Sequence, residues 1–217
     1  MALKLYAHPF SSYCQKVLIA LYENGTPFTL RMLGDAEAFT ELGALWPLKR
    51  MPVLVDGDRT VVETTVIIEH LGLYHAGPVR LIPADARDAL EVRTMDRVFD
   101  NYVMTPMQKI VLDRLRPEAS RDAHGVAEAR TMLDTAYRWL DGTMAGREWA
   151  AGGTFSLADC AAAPALFYAD WAHRIDERFA NVWAYRRRLL ARPSIARAVD
   201  EARPYRPLFP LGAPDRD

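Results

Sequence analysis

Cysteine is scarce in this chain: of 217 residues, only Cys14 and Cys160 carry a thiol. Two cysteines far apart in sequence exclude a disulfide-stapled scaffold and give no ligand set for a structural zinc, so no metal is expected and a reducing cytosol is the natural setting. Charge of one sign is also lacking, because 27 Lys+Arg face 28 Asp+Glu for a formal net charge of −1. Without a basic surplus, nothing draws the chain onto phosphate backbones or an anionic bilayer, and neither nucleic acid nor membrane is an expected partner. Long apolar runs are missing too. None approaches the roughly 20 residues needed to span a bilayer, and the opening Met-Ala-Leu-Lys-Leu-Tyr-Ala-His-Pro has no apolar export core. A soluble, cytoplasmic protein is the expectation. What the chain does have is length and apolar content, 50% of its residues, sufficient for one large domain or two small ones with a sizeable core.

Residues 2–7 alternate and meet His8-Pro9, which predicts a short strand ended by a turn. Residues 12–24 place Cys14, Val17, Leu18 and Leu21 on one helical face, with Asn24-Gly25 as the stop. A strand over 27–33 and a short helix over 35–46 complete a right-handed βαβ unit. Residues 52–55 and 59–62 flank the turn Asp56-Gly57-Asp58 as a hairpin, and 64–74 is helical. Beyond Ile82-Pro83 only helical patterns occur: 85–116 with a kink near Pro106, 121–144, 156–174, 179–190 and 194–202. The fold class is therefore α/β plus all-α, with a βαβαββα domain over 1–76, a linker over 77–83 and an all-helical domain over 84–217. The last residues, 203–217, hold four prolines and are expected to run over the surface.

Four segments could carry chemistry. At the first strand-to-helix turn, Ser12-x-x-Gln15 fits a capping box, which leaves Ser11 spare to donate to an anion at the positive helix terminus. No neighbouring base would make Ser11 a nucleophile, and His8 is assigned to the turn. In Trp46-Pro-Leu-Lys-Arg-Met-Pro-Val-Leu54, Pro52 is either a cis proline exposing the Met51 main chain to a cleft or an ordinary trans proline opening an edge strand. Lys49 and Arg50 beside it could meet a carboxylate or simply be solvated. At Glu63-Thr64-Thr65 a threonine caps the next helix, and an acid beside a hydroxyl there can hold an ammonium and a carboxylate together. The fourth segment, Phe155-Ser-Leu-Ala-Asp-Cys160, reads as structural: Ser156 and Asp159 form a capping box, Phe155 and Cys160 have staple spacing, and Pro164 should kink the helix that follows.

In their order and spacing these segments resemble the cytosolic glutathione transferases over nearly the whole chain. The shared features are the thioredoxin-like βαβαββα domain, Met51-Pro52 before its third strand, Glu63-Thr64 opening its last helix, and Phe-Ser-Leu-Ala-Asp-Cys in a helical second domain. The zeta-class pattern Ser-Ser-Cys-x-Trp-Arg-Val is similar to Ser11-Ser-Tyr-Cys-Gln-Lys-Val17. The resemblance implies that glutathione is the co-substrate and that Ser11 donates to its thiolate. It further implies that Met51, ahead of a cis Pro52, pairs its main chain with the cysteinyl unit, that Glu63 and Thr64 hold the γ-glutamyl end, and that Lys49 or Arg50 reaches a carboxylate. Trp46 stands where asparagine is usual and Thr64 where serine is usual.

The implied activity is conjugation of the thiolate to a small hydrophobic electrophile by a homodimer. The electrophile's apolar pocket is expected to draw on Phe10, Tyr13, Tyr102, Met104, Met107 and Tyr168, with 102–107 as the second-domain wall. Two other functions stand beside it. One is a glutathione-dependent reductase or isomerase at the same site, because Ser11-x-x-Cys14 occupies the place of a Cys-x-x-Cys pair and an exposed, acidic Cys14 could exchange disulfides. The apolar face shared with Val17, Leu18 and Leu21 argues instead that Cys14 is buried. The other is a non-catalytic interaction protein on the same fold.

Overall fold

A computed structural model describes residues 3–217. Its first part is built from β1 (Leu3–Ala7), α1 (Ser12–Glu23), β2 (Phe28–Met32), α2 (Ala36–Leu45), β3 (Val53–Asp56), β4 (Arg59–Val61) and α3 (Thr64–Tyr74). Ala2, also expected in the first strand, lies outside the described residues. The sheet order is β2-β1-β3-β4, with β1 parallel to β2 and the other pairs antiparallel. Because β1 is central, its two faces feed two cores. Leu3, Leu5 and Ala7 join Cys14, Val17, Leu18 and Leu21 of α1 and Ile67, Ile68 and Leu71 of α3. Tyr6 and Val53 face the other way, onto Leu33, Ala38 and Leu42 beside and within α2.

The second part is helical: α4 (Ala86–Val98), a π-helical turn over Phe99–Met104, α5 (Thr105–Arg114), α6 (Ala123–Thr143), α7 (Leu157–Ala172), α8 (Ala180–Leu190) and α9 (Pro193–Ala202). Every residue of α7 is buried, and the run of small side chains from Ala158 to Ala165 lets α1 and α4 pack closely on it. Its start is a capping box. The Ser156 N–H and hydroxyl donate to Asp159 Oδ2 at 2.9 and 3.0 Å, while Asp159 Oδ1 accepts from the Ala150 N–H at 2.9 Å and the Tyr185 hydroxyl at 2.6 Å. Those four donors are why a carboxylate can sit there without exposed surface.

Several expectations need correction. Ser11, not Ser12, caps α1: its Oγ accepts from the Cys14 N–H, and Gln15 donates to the Pro9 carbonyl and the Tyr168 hydroxyl instead of closing a capping box. Glu63, not a threonine, is the N-cap of α3. The irregular turn of the 85–116 segment lies at Phe99–Met104, just ahead of Pro106, which offers no N–H to that turn, and α7 runs unbroken from Leu157 to Ala172 with Pro164 inside it. The tail is anchored, not merely laid on the surface. Arg203–Leu208 forms a 3₁₀ turn, Phe209 is buried against Trp171, and Asp217 pairs with Arg203 and Arg206. Among the described residues no helix is long and apolar enough to cross a membrane.

Two polar clasps join α1 to the second part. Lys16, wholly buried on α1, places Nζ 2.5 Å from Asp96 Oδ1 and 2.8 Å from Asp100 Oδ2, and donates to Thr65 Oγ1 at 3.2 Å. Arg97 covers the cluster, with Nη2 2.7 Å from Asp96 and 2.6 Å from Asp100. At the other end of α1, Glu23 accepts from Arg192 Nε at 2.9 Å and from Ser194 Oγ at 2.6 Å.

Removing one partner of a buried ion pair leaves the rest uncompensated, so Lys16→Met should lower unfolding free energy by about 3–5 kcal/mol, read by urea denaturation. Burial raises the Glu23 carboxyl, but Arg192 and Ser194 outweigh it and hold the group below its ordinary value. A depressed carboxyl stabilises the fold above its unfolded pKa and loses that stabilisation as pH falls through the folded one. Glu23→Gln should therefore flatten the decline of Tm on acidification below about pH 4.5, the ordinary glutamate value from which Glu23 is depressed.

Candidate active site

A cleft of about 730 Å³ runs between the two parts. Ser11, Lys49, Arg50, Met51, Pro52, Glu63 and Thr64, the seven residues singled out in the first domain, all line it, together with Tyr13 and Trp46. They arrive from three turns. Ser11 precedes α1, with its N–H bonded to the His8 carbonyl at 3.0 Å. Its Oγ accepts from the Cys14 N–H at 3.4 Å, which uses a lone pair and leaves the hydroxyl proton free to donate into the cleft beside the helix N-terminus. The turn from Trp46 to Lys49 closes by a Lys49 N–H to Trp46 carbonyl bond of 2.9 Å, and the Met51-Pro52 peptide is cis.

Lys49 and Glu63 adopt φ of 51° and 69°. For side chains with a Cβ this left-handed region costs about 1–3 kcal/mol each, and residues held there collect at ligand-binding sites. Glu63 makes no side-chain cap bond, so its carboxylate is not consumed by α3.

The opposite wall differs from expectation. It consists of Arg97, Asp100, Asn101, Thr105, Gln108, Lys109 and Leu112, so only one of its side chains is apolar. Met104 and Met107 are buried in the core, as is Tyr168, whose hydroxyl accepts from Gln15 Nε2 at 3.1 Å. Phe10 packs edge-on against Tyr168, and Tyr102 is half exposed outside the cleft lining, so of the six expected pocket residues only Tyr13 faces it. For Tyr102, Met104 and Met107 the physical reason is the π-helical turn, whereas Phe10 and Tyr168 pack on each other. Both the N–H and the hydroxyl of Thr105 donate to the Asp100 carbonyl, five residues back, and this wider turn shifts the face that follows.

Asp100 is the one acidic side chain of that wall. Its Oδ2 meets Lys16 and Arg97, while Oδ1 is buried without a hydrogen-bond partner. Burial raises the Asp100 carboxyl despite the opposing Lys16 charge. Burial, reinforced by the Asp100 charge, raises the Tyr13 phenol, which therefore stays protonated and able to donate. Sequence reading missed Arg97, Asp100, Asn101, Thr105, Gln108 and Lys109 as wall residues. The signal available was Lys16, a cation adjoining the apolar face of α1 that requires buried acids opposite it.

Cys14 is fully buried, and its thiol is pushed up to about 11 by burial, with the Ser11 hydroxyl opposing. Cys160 is likewise buried and raised by its surroundings. Neither supplies a thiolate at neutral pH, which removes the basis for disulfide exchange by Cys14.

A family model described as the N-terminal domain of glutathione S-transferase matches residues 5–78, and one for the C-terminal domain matches residues 123–188. A crystal structure of a glutathione S-transferase from Methylobacterium radiotolerans in complex with glutathione sulfonate is 30% identical, with a TM-score of 0.80 over 92% of this chain and 95% of that one. The chain belongs to the glutathione transferase superfamily. It is also 26% identical to a probable maleylacetoacetate isomerase of Vibrio cholerae, over 94% of this chain and 98% of the relative. FtsZ-localized protein A of Caulobacter vibrioides is 28% identical over 77% of each chain.

With both thiols buried, a maleimide reagent should label neither cysteine in the native protein at pH 7 and both in denaturant. Labelling is read by intact mass.

Proposed function

We propose that the protein is a glutathione transferase in which Ser11 stabilises the thiolate of the bound tripeptide. The observation that carries this reading is the free Ser11 hydroxyl proton at the α1 N-terminus, in the same cleft as the cis Met51-Pro52 turn and the uncapped Glu63. A thiol near pKa 8.5 is mostly protonated at pH 7, and each unit of depression needs about 1.4 kcal/mol. One hydrogen bond to the thiolate, about 1.5–3 kcal/mol, supplies one or two units without a general base. Met51 offers its main chain to the cysteinyl unit, Glu63 and Thr64 bind the γ-glutamyl end, and Lys49 or Arg50 meets a carboxylate. When bound, glutathione supplies the nucleophilic sulfur.

The polar wall changes the substrate reading. Asn101, Thr105, Gln108 and Lys109 suit an electrophile that itself accepts and donates hydrogen bonds, in place of the small hydrophobic one expected from sequence. That wall also favours a second reading, glutathione-dependent isomerisation of a polar substrate at the same site. On this reading the enzyme works in the cytoplasm as a homodimer, in which the exposed Val66 and Leu73 of α3 would be covered.

Ser11→Ala should lower kcat/KM for conjugation by roughly 10- to 100-fold, the equivalent of that one hydrogen bond, while calorimetric glutathione affinity changes little. A Ser11→Ala variant that conjugates as fast as wild type would refute the role. A wild type that binds no glutathione at millimolar concentration would move the function to protein interaction.

A further inference from the structure

Asp56 closes β3, His70 lies on α3, and His75 follows that helix as its C-cap. These three residues come together at the opposite end of α3 from the cleft. Asp56 Oδ2 is 2.9 Å from His70 Nε2 and 2.7 Å from His75 Nε2, and the three donor atoms lie within 4.8 Å of one another. We propose that Asp56, His70 and His75 form a three-ligand site for a divalent transition cation of the zinc type, clipping the β3–β4 hairpin to the end of α3.

The convergence is not what a helix gives by default. Side chains five positions apart on an ideal helix diverge by about 140°. His75 escapes this because it leaves the helix with φ −138° and ψ 42°, which swings its imidazole back to His70. Tyr74 packs on the His70 ring at 4.6 Å, and Arg59, opposite Asp56 in the hairpin register, sits over Tyr74 at 4.6 Å. The ion-pair partners of Asp56 among the described residues are the two histidines.

Two imidazole Nε2 atoms directed at one carboxylate oxygen each carry a proton in the metal-free state. A cation bound by the Nε2 lone pairs takes the place of both protons. Zinc bonds of about 2.0–2.2 Å put tetrahedral ligands roughly 3.3 Å apart. The two Asp56–histidine separations therefore need to widen by about half an ångström, while the two imidazole nitrogens, which lie within 4.8 Å of each other, settle to that same spacing. A set of two nitrogens and one oxygen suits zinc, cobalt or nickel and disfavours calcium and magnesium, which require oxygen ligands. His75 and Asp56 are half-buried, so the fourth position is open to water.

The test uses the full chain, stripped with a chelator and titrated with Zn²⁺ by calorimetry, with Co²⁺ absorption as a geometric readout. One equivalent should bind, raise Tm and give a tetrahedral Co²⁺ spectrum. Asp56→Asn and His75→Ala should each weaken Zn²⁺ binding at least tenfold and abolish the Tm shift, their folding confirmed by circular dichroism. Undiminished affinity in a folded His75→Ala, or no Zn²⁺ bound by wild type, would overturn the proposal. Because neither readout involves glutathione, the result is independent of the transferase reading.

Discussion

A lysine ammonium with no exposed surface forces its surroundings to supply opposite charge, and the Lys16 cluster sets much of the geometry described above. Lys16 belongs to α1, Thr65 to the first turn of α3, and Asp96, Arg97 and Asp100 to the end of α4 and the π-helical turn. Three elements that each contribute to the cleft therefore meet at one desolvated point. Ser11 stands one turn and a half before Lys16, Thr64 immediately precedes Thr65, and Asp100 faces both cluster and cleft. The relative placement of the cleft walls is fixed by charge neutralisation more sharply than apolar packing alone would fix it, because buried charges tolerate little displacement.

The cleft itself is assembled from turns with unused polar capacity. Ser11 gives a lone pair to the helix and keeps a proton, and Glu63 occupies a cap position without capping. Groups left incomplete by the fold are the ones able to bind a ligand, and two of the flanking residues hold left-handed backbone to keep them there.

Strand and helix placement was legible because periodicity and stop signals agree: Asn24 does close α1, and the hairpin falls on Asp56-Gly57-Asp58. The Ser156–Asp159 box was legible for the same local reason. The assignment of the cap to Ser12 failed because it rested on Gln15 closing a capping box, and Gln15 found better partners in Pro9 and Tyr168, the latter distant in sequence. The apolar pocket failed because the irregular turn lies at 99–104, where hydrogen bonds close five residues back, and because Phe10 and Tyr168 pack on each other. The anchored tail was invisible because the aromatic bed that receives Phe209 is contributed by α7.

The π-helical turn has a consequence for how this cleft could diversify. A single wide turn is equivalent to one extra residue accommodated inside an otherwise α-helical run, between an end locked by Asp96 and an end opened by Thr105. Losing one residue there would restore ordinary helical register and rotate all that follows by about 100°. Gln108 would move into the buried position of Met107, and Ile110 would come to the cleft position of Lys109. Insertions and deletions at this one turn, not point substitutions along the wall, are the short route by which a lineage could trade one substrate chemistry for another.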